Sequence, residues 1–280
     1  MTKTRTVSKI IEPQQVIEGA GVLLRRSISP RPSNDYDPFL LFDHFAFNDP
    51  LEGPLRGFPM HPHRGIETVT YMLDGLVNHR DSLGNSGVIG PGDVQWMTSG
   101  RGILHEEMPR RSESGGIYGF QLWVNLPAAQ KMSQPRYQEV NSSDIPIIEQ
   151  GGTKIRLVAG ELNGIRGPVT EIAASPLYMD VKLGPASRFA YPVPRGHTTL
   201  AYVFEGAGEF SGQVVESVCM LEYNDDGEQF EAMTEKGVQF MLIAGAPFKE
   251  PIVPYGPFVM NTVEEIQQAI TDLRNGTFVK

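Results

Sequence analysis

His61-Pro62-His63 and, some forty residues later, His105-Glu106-Glu107 are the segments of this chain best suited to hold a metal ion. Side chains two apart on an extended strand point to the same face, so each segment can present two donors to one centre. Three of the six histidines fall in these two stretches. Neutral imidazoles with a carboxylate suit Fe(II), Mn(II), Ni(II), Cu(II) or Zn(II), whereas Mg and Ca prefer oxygen ligands. The single cysteine, Cys219, lies far from both segments, which excludes a thiolate site and leaves it as a buried apolar filler. Parity sorts the carboxylates: Glu107 shares a face with His105, Glu106 points away, and Glu67 falls on the same face as His61 and His63. Glu67 and Glu107 both remain as ligands on this argument. His44, His79 and His197 have no partner pattern and read as packing or surface residues. Tyr71, Met97 and Trp123 read as core.

Short strands must carry these side chains. In 280 residues there are 30 glycines and 22 prolines without collagen periodicity, which predicts a turn-rich, all-β chain with little helix. An internal repeat sets the organisation: Arg64 to Gly75 aligns with Arg195 to Gly206, with Arg, Gly, Thr, Tyr and Gly recurring at the same offsets. Two copies of one β domain follow. Strands are expected around the two histidine segments and over Val94 to Thr98, Ile117 to Asn125 and Ile155 to Ala159, with Gln134 to Gly152 as linker. One helix is expected near the C-terminus. Asn261 would cap it with Glu264 at the capping-box position, Val263, Ile266, Ile270 and Leu273 would form its apolar stripe, and Gly276 would end it.

The net charge of −9 and the absence of a Lys/Arg-rich run exclude a protein that grips nucleic acid by neutralising phosphates. Leu24-Arg25-Arg26 and Arg110-Arg111 are too short for that and read as solvated charge. The N-terminus lacks a signal-peptide core and no apolar run reaches membrane-spanning length. With one cysteine and no internal disulfide, a cytoplasmic setting is expected, or a nuclear one in a eukaryote.

The stretch from Met60 to Val69 resembles the first signature of the cupin superfamily, and more narrowly that of the pirin family. Pro91 to Thr98, Gly100 to His105, Gln121 to Leu126 and Gly256 to Thr262 resemble pirin as well. The resemblance implies two tandem cupin, jelly-roll-like β-barrels: a metal-binding barrel over residues 1–135 and a second barrel over 150–280 without metal ligands. It implies His61, His63, His105 and Glu107 as ligands of one metal, choosing Glu107 over Glu67. Iron(II) is the first expectation for that metal, with Mn, Ni, Cu, Co or Zn compatible. The repeat offset sets Pro192 and Pro194 opposite His61 and His63, and Thr198 opposite Glu67. The activity implied is that of a quercetin 2,3-dioxygenase acting on a flavonol-like substrate with O2, with Glu107 also as the base for the substrate hydroxyl. The alternative is a metal- and redox-dependent module that binds a protein partner as a co-regulator. A monomer suffices for either. A zinc hydrolase is disfavoured, because no nucleophile or separate general base is recognisable.

Overall fold

Eleven of the strands that build the histidine-bearing unit fall in the first half of the chain. The computed structural model describes residues 3–47, 56–111, 113 and 115–279. After β1 (Val7–Ile11) come β2 (Gln14–Glu18), β3 (Val22–Ile28), β4 (Phe39–Phe47), β5 (Phe58–His63), β6 (Ile66–Asp74) and β7 (Leu76–Asp81). They are followed by β8 (Ser86–Ile89), β9 (Val94–Thr98), β10 (Ile103–Arg110), β11 (Ile117–Asn125) and β12 (Arg136–Val140). Seven of them form an antiparallel sheet in the order β12-β9-β6-β11-β4-β3-β2, and four form a second in the order β5-β10-β7-β8. The stretch expected as a linker thus begins with β12, which extends the larger sheet by pairing with β9.

The two compact units do not follow the expected division at 135 and 150. One comprises Gln14–Ser142 with the segment from Phe248 onward, and the other Ser143–Pro247 with the segment up to Pro13. Pairing explains the exchange of ends. Strand β1 adds to Cys219–Tyr223, and the fully buried Arg5 donates to the carbonyls of Pro194 and His197 and to Asp225. At the other end, Leu40, Ile66, Ile252 and Val259 share one apolar cluster, with Trp123 packed against it. The Arg64 guanidinium pairs with Asp272 at 2.8 Å and lies 4.3 Å from the Phe278 ring centroid.

The one α-helix among the described residues, α1 (Val263–Arg274), begins one residue later than the cap expected from sequence. Thr262 is the N-cap, and its hydroxyl accepts from Glu265 N while the Glu265 carboxylate accepts from Thr262 N. Asn261 instead directs its side-chain amide to the Pro251 carbonyl. Ile266 and Ala269 are buried, whereas Val263 and Leu273 are exposed, so the inward stripe is narrower than the periodicity suggests.

The repeat holds at the level of the backbone. Gly65 and Gly196 both have φ of 80°, and Gly75 and Gly206 have φ of 76° and 75°. Between each glycine pair runs a central strand, β6 in one unit and Thr198–Phe210 in the other. Side-chain direction before the first glycine is not repeated. Pro192 and Pro194 are exposed, while Phe189, Tyr191 and Val193 point into the second unit's core. Phe230 fills that core with ring centroids 5.3 to 6.3 Å from Tyr223, Phe240, Phe210 and Phe189.

Candidate metal centre

Strands β5 and β10 pair antiparallel with His105 opposite His61 and Ile103 opposite His63, which sets three imidazoles on one face. Their ring centroids are 4.4, 4.9 and 5.0 Å apart, and one nitrogen from each ring lies within 4.8 Å of the others. His61 Nδ1 is 3.0 Å from the Pro59 carbonyl, a contact only an N–H can satisfy, so His61 Nε2 carries the lone pair. That nitrogen faces His63 Nε2 at 3.0 Å. Neither ring nitrogen of the buried His105 has a hydrogen-bond partner among the described residues. Burial, reinforced by the neighbouring imidazoles, holds His63 and His105 well below the ordinary histidine range. Imidazole nitrogens that converge this closely, two of the three rings buried, are the donor set a divalent transition metal requires.

Glu107 is buried on the same face of β10 as His105, despite a register irregularity between the two. Its Oε1 lies 3.0 Å from Thr70 Oγ1, and burial raises its pKa against the pull of His61 and of Thr70. It borders the cavity beside His61 and His63 but stands outside the tight group formed by the three histidines. Glu106 leaves the site, as parity requires, and pairs with Arg80.

Glu67 does not share the histidines' face. Strand β5 ends at His63 and β6 starts at Ile66, with Gly65 between them at positive φ. A Cβ at Gly65 would sit 2.3 Å from the Val259 carbonyl oxygen, so only glycine makes this turn. Alternation restarts there. Glu67 and Thr70 are three apart on β6 and point to opposite faces, and Thr70 is the one that reaches Glu107. The Glu67 carboxylate instead accepts from Trp96 Nε1 at 3.1 Å and Thr98 Oγ1 at 2.8 Å, and burial lifts its pKa to about 7 from 4.5. A carboxyl that holds its proton more tightly when folded makes stability fall as pH rises between about 4.5 and 7, because the unfolded chain ionises first. The expected loss is up to about 3 kcal/mol, and urea unfolding at pH 5 and pH 8 should show a smaller drop in Glu67→Gln than in the wild type.

A cavity of about 370 Å³ opens beside the histidines. Leu24, Leu41, Phe45, Phe58 and Trp123 supply apolar walls, and Arg26, Asp43 and Gln121 supply polar ones. Trp123 stands edge-on to His63 at 5.2 Å. Arg26 is no solvated surface charge: its guanidinium grips Asp43 through two bonds of 2.8 and 2.7 Å and Glu18 through one of 2.7 Å. His79, expected to be unremarkable, is buried opposite Glu107 in register and bonds Glu139 at 2.8 Å. His44 packs against the rings of Tyr118 and Phe120, in keeping with a packing role. Tyr71 and Met97 are fully buried core residues, whereas Trp123 also forms cavity wall.

Residues 22–124 match the Pirin family and residues 178–279 match the Pirin C-terminal cupin domain. Human Pirin is 41% identical over 281 residues, spanning 98% of this chain and 94% of the human protein. The chain belongs to the pirin family. Among solved structures, a quercetin 2,3-dioxygenase from Acinetobacter baumannii superposes on this pirin with a TM-score of 0.89 at 37% identity, covering 99% of each chain. The Escherichia coli pirin YhhW, crystallised with nickel(II), has a TM-score of 0.66 at 18% identity over 85% of this chain and 98% of its own, a likeness of fold. The family match makes the fold a bicupin, as expected from sequence. No helix among the described residues is long and apolar enough to cross a membrane.

Proposed function

We propose that this pirin is a metal-dependent dioxygenase that opens flavonol-like aromatic substrates, with His61, His63, His105 and Glu107 as ligands of a single iron(II). The observation that carries this reading is the convergence of three imidazoles, two of them buried, at the edge of a cavity with aromatic and aliphatic walls. Nickel in the distant bacterial pirin supports a site open to several divalent metals, as its donor set allows. The bound metal would supply adjacent open positions for a chelating substrate and dioxygen.

The chain's own residues do the rest. Trp123, Leu41 and Phe45 hold a planar ring system and keep water from it. Glu107 accepts the proton of the substrate hydroxyl that comes to the metal, its carboxylate held in place by the Thr70 hydroxyl. Anaerobic protein loaded with one equivalent of Fe(II), then given quercetin and oxygen, is expected to consume the flavonol and release carbon monoxide with the ring-opened depside. A fully metallated sample that leaves quercetin intact would rule the activity out.

A further inference from the structure

A polar strip crosses the cavity floor at right angles to the strands. Register sets Thr70 opposite Gln121, Gln121 opposite Asp43, and Asp43 opposite Arg26. Four polar side chains thus stand in line on β6, β11, β4 and β3, over roughly 14 Å of sheet at the usual strand spacing. One end is tied to Glu107 through Thr70, and the other is pinned where Arg26 meets Asp43 and Glu18. The flanks are apolar, with Trp123 opposite Leu41 on one side and Phe45 on the other. Gly119 lies opposite Phe45 and leaves room for its ring, since a Cβ there would come within 2.7 Å of it.

Gln121 is the unsatisfied member. Thr70 Oγ1 lies 3.0 Å from both Glu107 Oε1 and Gln121 Oε1, but a hydroxyl has one proton to give. When Thr70 serves Glu107, the Gln121 amide turns over so that its nitrogen donates to Thr70, a reversal that exchanges two nearly isosteric atoms. In either orientation the other amide atom has no partner among the described residues. A phenolic hydroxyl satisfies both orientations, because it donates and accepts, whereas a carboxylate satisfies only one. The two carboxylates against one guanidinium at the far end also disfavour an anionic group there.

We propose that Gln121 and Asp43 are specificity-determining residues that read the ring hydroxyls of a neutral polyphenol lying between Trp123 and Phe45. This rests on the flavonol reading above. The test uses the full chain loaded with Zn(II), which binds without redox turnover, titrated with quercetin and with 3-hydroxyflavone while tryptophan fluorescence is followed. The second ligand keeps the chelating hydroxyl and carbonyl but lacks the other hydroxyls. Wild-type protein is expected to prefer quercetin by at least about tenfold, the worth of one well-made hydrogen bond in a dry site. Gln121→Leu and Asp43→Asn should each shrink that preference, costing quercetin more affinity than 3-hydroxyflavone. Equal affinities in the wild type, or a preference that survives in both variants, overturn the strip and leave flavonol binding standing. If neither ligand binds, both proposals fall.

Discussion

Glu107→Gln is expected to weaken metal binding at least about 100-fold, whereas Glu67→Gln leaves it unchanged; changes one shell further out already cost 10 to 100-fold. Both carboxylates are buried, both have raised pKa values and both stand near histidines in sequence. The difference lies in the strand that carries each. Glu107 follows His105 on β10, borders the cavity and is held by Thr70. Glu67 sits beyond the Gly65 turn, bonded to Trp96 and Thr98. Amidation keeps the shape of Glu107 and removes the charge that offsets a divalent cation, so the fold should survive while affinity does not. Elemental analysis after dialysis against graded chelator measures the effect, with His105→Ala as the reference for a lost ligand. Loss of metal in Glu67→Gln, with retention in Glu107→Gln, would hand the carboxylate role to Glu67.

The histidines were legible because strand alternation holds within β5 and within β10, which pair with each other although β6 to β9 lie between them in the chain. Alternation could not be carried from His63 to Glu67, since Gly65 at positive φ resets the count. The offset between the repeats finds the matching glycines correctly, yet Pro192 and Pro194 face outward: equal spacing to a turn does not fix which face precedes it. The polar strip had no local signal at all. Arg26, Asp43, Thr70 and Gln121 share no motif or spacing, and only register brings residues as far apart as 26 and 121 into one line. Likewise nothing within Val7–Ile11 announces that it pairs with Cys219–Tyr223 rather than with the strands that follow it.

Lys131→Met is expected to destabilise the histidine-bearing unit by about 3 kcal/mol or more, seen as a fall in melting temperature of roughly 6 to 12 °C. Lys131 is 1% exposed, and its ammonium donates to Gly65 O at 2.9 Å, Asn125 Oδ1 at 2.8 Å and Val259 O at 2.7 Å. In its protonated form three protons meet three acceptors drawn from the turn after β5, the end of β11 and the C-terminal segment. Methionine fills similar space but strands all three acceptors in a site closed to solvent, and arginine's planar fork does not match their convergence. Because Gly65 follows the histidine strand, metal affinity should fall with stability. The pH dependence separates this lysine from a mere packing residue. Burial pushes its pKa down from 10.5 to about 7, against the pull of Glu250, Glu265 and Asp37. Between those values the unfolded chain holds a proton that the folded one has released, so stability rises with pH across that window. Melting curves at pH 7 and pH 9.5 should show this rise in the wild type and its loss in Lys131→Met. A variant that melts with the wild type at both pH values would mean that the three contacts contribute nothing to the unit.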